Sequence, residues 1–142
     1  MIDLDVQSVA KALEDAGVEI YRHVGDEIQV AERVRLHIMD SGIRVVLEQG
    51  VRVRFTARSQ QSDFPNALPD DLFAKVRGSI GEQANPRGYA ETKSATVQVK
   101  DPVDDKRVLD VWHEVTYEKS SDLDDLVDEV QWILKLDKYI AP

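Results

Sequence analysis

Residues 43–58 read IRVVLEQGVRVRFTAR. Ile43, Val45, Leu47, Val51, Val53, Phe55 and Ala57 all fall on odd positions. Successive side chains of a strand point to opposite faces, so this spacing predicts a strand with one dry and one wet side. Gln49-Gly50 has the composition of a turn. A two-residue hairpin there would set Leu47 opposite Arg52 and mix the faces. Residues 43–57 are therefore expected as one long strand that coils or kinks at Gly50. Its wet side carries Arg44, Arg52 and Arg54, and Arg58 continues the row.

The same period extends upstream. Val18, Ile20 and Val24 share a face, as do Ile28, Val30, Val34, Leu36 and Ile38, interrupted by Glu32. Residues directly opposite in an antiparallel pair point to the same side, so parity constrains the turns. It predicts a loop at Gly25-Asp26-Glu27 with Val24 opposite Ile28, and a loop at Met39–Gly42 with Ile38 opposite Ile43. His37 then faces Arg44, Arg35 faces Val46, Arg33 faces Glu48, Gln29 faces Arg52 and Glu27 faces Arg54. On this register Arg33, Arg35, Arg44, Arg52 and Arg54 line one sheet face, and Arg35, Arg44 and Arg52 lack an acidic partner within the hairpin.

Helical spacing flanks the strands. Val6, Val9, Ala10 and Leu13 predict a helix from about Asp5 to Ala16, capped by Asp3 or Asp5 and closed at Gly17. Residues 59–68 read as a loop. Pro69 suits the first position of a helix with a Leu72, Phe73, Val76 and Ile80 stripe, which ends at Asn85-Pro86-Arg87-Gly88. Strands follow at about 89–99 and 108–118, and a helix at about Asp122 to Tyr139 that Ser121 can cap. The order is helix, three strands, helix, two strands, helix. It predicts a single α+β domain over residues 1–142, an antiparallel sheet with helices packed mainly on one face.

The totals narrow the function classes. The chain has 142 residues, no cysteine and a formal net charge of −9. Disulfides and thiolate metal sites are excluded. Nucleic-acid binding and attachment to anionic membranes are disfavoured by the charge. No apolar run approaches the ~18 residues of a membrane span, and the N-terminus lacks a secretory pattern, so a cytoplasmic protein is expected. The charge is uneven: residues 1–20 carry −4, residues 21–58 carry +2, residues 59–100 are neutral and residues 101–142 carry −7.

No catalytic signature emerges. His23, His37 and His113 do not fall at metal-ligand spacing, and no metal or cofactor is expected. His113 alternates with Val111, Val115 and Tyr117, which fits a buried histidine making one hydrogen bond. Glu32 interrupts a dry face, and an ion pair with Arg22 accounts for it more simply than acid–base chemistry does. No serine has a histidine near it in the pattern a hydrolase needs. Trp112 and Val108 put apolar groups where polar ones are expected, and Trp132 lies beside the dry stripe of the last helix. Either a second covering layer or an interface, such as that of a homodimer, is expected at the tryptophans.

The element order, the closing segment LDDLVDEVQWILKLDKYI (residues 123–140, with Asp137 and Tyr139) and NPRGYA (residues 85–90) resemble the type III secretion chaperones and the YbjN-type proteins. The resemblance implies a homodimer that binds an extended segment of a partner protein and has no catalytic residues. The arginine row is open to three readings: a solvated face, a docking surface for an acidic partner or for the chain's own acidic segments, and a phosphate or nucleic-acid site. The third lacks an adjoining glycine-rich loop or interleaved aromatic residues. The leading expectation is a non-enzymatic, chaperone-like binding module. The alternative is a small-ligand-binding domain or enzyme with a pocket between sheet and helices near Glu32, His113 and Tyr117.

Overall fold

The Asp5 carboxylate accepts the Ser8 backbone N–H at 2.7 Å and so starts α1, Val6–Asp15. In the computed structural model, which describes residues 5–142, the elements that follow are β1 (Ile20–Val24), β2 (Glu27–Val34), β3 (His37–Val46) and β4 (Val51–Gln60). Then come α2 (Pro69–Val76), a π-turn over Arg77–Gly81, α3 (Glu82–Ala84), β5 (Ala90–Lys100), β6 (Val108–Ser121) and α4 (Leu123–Lys135). The alternative cap Asp3 lies outside the described residues. The class is α+β, as the periodicity predicts. The strands form a six-stranded antiparallel sheet in the order β1-β2-β3-β4-β6-β5.

The described chain forms two compact units, residues up to 55 with 118–136, and residues 56–117 with 137–142. Strands β4 and β6 contribute to both. In the first unit, Val9 and Leu13 of α1 and Leu126, Val130 and Ile133 of α4 are buried together with Ile28, Val30, Ile43, Val45, Val53 and Phe55. Burying each such side chain contributes about 1.5–3 kcal/mol, so the dry side of β2–β4 is the main stabilising surface of this unit. In the second, the buried residues include Ala57, Leu72, Val76, Ile80, Val115 and Tyr117.

The stretch 43–57 is two strands. Gln49 (φ 55°) and Gly50 (φ 106°) leave the extended region and reverse the chain. Val46 then lies opposite Arg52, Val45 opposite Val53 and Arg44 opposite Arg54. A five-residue connection over 47–51 keeps odd residues on one side, as an unbroken strand would. Alternation alone therefore could not distinguish the two arrangements.

Both upstream hairpins are also tighter than the parity reading. The first turns at Gly25-Asp26 with Val24 opposite Glu27 and His23 opposite Ile28, and a bulge at Tyr21 restores Ile20 to Val30. The second turns at Arg35-Leu36 with Val34 opposite His37. The expected loop at Met39–Gly42 lies instead inside β3, where the register shifts between Gln29 and Ala31. Asp40 Oδ1 accepts the Gly42 N–H at 2.9 Å, and the Ser41 hydroxyl donates to the Val30 carbonyl at 2.5 Å. Gly42, at φ 81°, supplies the left-handed residue that this bulge requires. Apolar residues placed in the core by the earlier register are therefore exposed: Val34, Ile38 and, at 94 %, Leu36.

The last helix is shorter than its apolar period. Asp122, not Ser121, caps it by accepting the Asp125 N–H at 2.8 Å. Leu136 (ψ 134°) is already extended, so Lys138 and Tyr139 lie beyond the helix.

Candidate functional site

In the first unit, the wet-side arginines form a row across the strands. Arg22 lies opposite Gln29, Gln29 opposite Arg44 and Arg44 opposite Arg54, and Arg54 meets Glu118 of β6. Two guanidinium groups directly opposite one another repel, so Arg44 beside Arg54 requires anions. They come from three strands. Asp40 holds Arg44 through two bonds of 2.6 Å, Oδ1 accepting from Nη1 and Oδ2 from Nη2. Glu27 lies 3.7 Å from Arg44 and 4.0 Å from Arg54. Glu118 accepts from Arg52 Nη1 at 2.8 Å and from Arg54 Nε at 2.9 Å.

The register predicted from parity therefore fails here, and Arg44 has acidic partners within the hairpin, whereas Arg52 has its counterion outside it. Arg44 finds one on its own strand, four residues away. Arg52 finds one on β6, a strand whose neighbour the sequence left undefined. Glu118 is the residue of this row that sequence reasoning missed. The available signal was its alternation with Tyr117 on the wet side of β6. Arg33 pairs with Glu19 at 2.5 Å rather than with Glu48. Arg35 occupies the turn at φ 58° and makes no ion pair among the described residues.

The electrostatics follow from these contacts. The bidentate bond from Arg44 holds the Asp40 carboxyl below the ordinary carboxylate range and raises the Arg44 guanidinium. Burial works to raise Glu118, but Arg52 and Arg54 outweigh it and its carboxyl titrates low. The Glu118 side chain is only 10 % exposed, whereas those of Arg52 and Arg54 are 46 % and 39 % exposed. Both guanidinium groups are fixed from beneath and open from above. With Val46, Glu48, Gln49 and Glu118 they line a shallow pocket of about 190 Å³.

The other sequence-selected residues have structural settings. In the second unit, His113 is 1 % exposed; its Nδ1 lies 3.2 Å from Thr96 Oγ1 and its Nε2 lies 3.1 Å from Gln61 Oε1. It thus has two hydrogen-bond partners rather than one, and Phe73 packs edge-on at 5.3 Å. Burial pushes its pKa down, partly opposed by Asp110. Tyr117 is buried in the same unit. Glu32 belongs to the first unit and is not paired with Arg22, which donates to Gln29 at 2.9 Å. Trp112 donates its indole N–H to Asp110 at 3.2 Å and lies under the Arg58 guanidinium. Trp132 meets Phe55 edge-on at 6.3 Å between ring centres. No helix among the described residues is long and apolar enough to cross a membrane.

No family model, curated protein or solved structure matches this chain.

Proposed function

We propose that the protein is a non-enzymatic, chaperone-like binding module that docks an acidic segment of a partner protein over Arg52 and Arg54, with Arg44 next in the row. One observation carries the reading. A single, nearly buried carboxylate, Glu118, fixes two half-exposed guanidinium groups side by side. Each guanidinium has five N–H donors, and Glu118 takes only one from each. The rest point from held positions, so a carboxylate that lands there orders little that is not already ordered. Arg22, Arg44, Arg52 and Arg54 balance Glu27, Asp40, Glu48 and Glu118. On a chain of net charge −9 this row is a locally neutral patch, and its half-exposed guanidinium groups supply the donors.

Titration of a fluorescein-labelled Glu-rich peptide tests the reading. The wild type should bind it, and Arg52→Ala/Arg54→Ala should weaken binding by at least about fivefold at low salt. Raising NaCl from about 50 to about 300 mM should erase most of that difference. Binding that ignores both the substitutions and the salt contradicts electrostatic docking.

A further inference from the structure

In the first unit, the hairpin of β2 and β3 ends in an arm that runs past both neighbouring strands. The register of β1 along β2 ends at Val30, and that of β4 along β3 ends at Arg44. Residues 32–39 are therefore a ribbon of two strands, paired as Glu32–Met39, Arg33–Ile38 and Val34–His37. Such a ribbon alone is marginal in water. This one also leaves Val34, Ile38 and Met39 half-exposed and Leu36 almost wholly exposed. At its base Arg33 is tied back to Glu19. At its tip Arg35 sits at φ 58° and makes no ion pair among the described residues. A side chain there costs stability that glycine would not, and strain of this kind clusters at functional sites.

The second unit holds a pocket whose chemistry matches this tip. Pro65, Val108, Leu109 and Val111 line it beside Ser62 and Asp110, and its volume is about 290 Å³. Val108 and Leu109 are half-exposed, as apolar residues at an interaction surface are. Asp110 accepts from the Ser62 hydroxyl at 2.7 Å and from the Trp112 indole at 3.2 Å, both neutral donors. Burial works to raise its carboxyl, but its hydrogen bonds outweigh burial and keep it ionised. It makes no ion pair among the described residues.

We infer that the arm of one copy docks in this pocket of a second copy, with Leu36 between the partner's Val108 and the partner's Leu109, and Arg35 on the partner's Asp110. Within one chain the tip and the pocket are both exposed, so the contact does not form there. Three matches favour a second copy: an apolar knob and an apolar hollow, a hollow roomier than a leucine side chain, and one unpaired charge on each, of opposite sign. The contact joins unlike surfaces, so it repeats from copy to copy and the mass rises with concentration. It uses none of Arg52, Arg54 and Glu118, so either proposal can fail alone.

The test uses the full chain. Leu36→Asp removes the knob and keeps the pocket, whereas Val108→Asp spoils the pocket and keeps the arm. Both positions are solvent-exposed, so the far-UV CD spectra should match the wild type. In sedimentation equilibrium at about 200 μM, where a contact this small is populated, the wild type should exceed the mass of one chain. Each variant alone should have the mass of one chain. An equimolar mixture of the two should form a complex that stops at two chains, because one partner supplies only the arm and the other only the pocket. Arg35→Gly relieves the strain and removes the charge, so it should raise the urea midpoint yet weaken association by at least about threefold at low salt. Should Val108→Asp lose its CD spectrum, Leu109→Asp takes its place in the mixture. A wild type that stays at the mass of one chain overturns the proposal, and so does a mixture that stays there. Self-association that survives Leu36→Asp also overturns it, since another surface would then carry it.

Discussion

Glu118 carries more of the arginine row than any arginine does. It accepts from two guanidinium groups and is itself almost out of water. Glu118→Gln keeps the shape and removes the charge. With the arginines half in water, the loss should be about 1–2 kcal/mol, read from the urea midpoint. The sign with pH follows from the lowered carboxyl: its stabilisation is present above the ordinary Glu range and is lost as pH falls through the folded-state value. The gap between wild type and Glu118→Gln should therefore narrow below about pH 4, and a gap that widens there would refute this assignment. Arg35 offers the opposite test. It holds φ 58° without an ion pair among the described residues, so Arg35→Gly should stabilise the protein by about 0.5–1 kcal/mol with no change in m-value. At this scale the sequence disclosed which arginines alternate with the core, because the period of two holds in β4. Apart from Glu27 beside Arg54, their partners were not disclosed, because Asp40 and Glu118 reach them through a bulge and a neighbouring strand.

For the elements, legibility depended on whether a turn carried its usual residues. Pro69, Asp70 and Asp71 marked the start of α2, and Asp5 that of α1, since caps and first turns have a local chemistry. The turn at Arg35-Leu36 has no glycine, asparagine or aspartate. Asp40-Ser41-Gly42, which has the composition of a turn, is a bulge held by Asp40 and Ser41. The same residues serve either purpose, so composition could not decide between them. Gly42→Ala should cost about 1–2 kcal/mol because an alanine Cβ is strained at φ 81°, although open space surrounds it. A thermal melt matching the wild type would mean the bulge is not held in this form. The division of 43–57 is tested by amide exchange. Val45 and Val53, opposite each other in the sheet core, should be strongly protected, and Glu48 to Gly50 should exchange fast. Continuous protection from 43 through 57 would restore the single strand.

Across the whole molecule, the response to acid combines groups that pull in different directions. Asp40, Asp110 and Glu118 are all held low, Asp110 because hydrogen bonds from Ser62, Val111 and Trp112 outweigh its desolvation. Each loses a stabilising contribution as pH falls through its folded-state value. Glu114 is raised by burial against the opposing pull of Arg58 and Lys93, so its ionisation costs stability and acid relieves that cost. Acid also removes the repulsion that accompanies a net charge of −9. The contributions of Asp40, Asp110 and Glu118 lie below about pH 5, and that of Glu114 opposes them. His113 adds a contribution nearer neutrality. Burial lowers its folded-state pKa, so the unfolded chain takes up a proton first, and stability falls as pH drops through the ordinary histidine value of about 6.5. Wild-type urea midpoints should decline between about pH 7.5 and 5.5. His113→Gln should lower the midpoint at every pH, through lost packing against Phe73, but should flatten that decline. A variant with the same slope as the wild type would place the acid-sensitive group elsewhere, and His23 and His37 would be the next to replace.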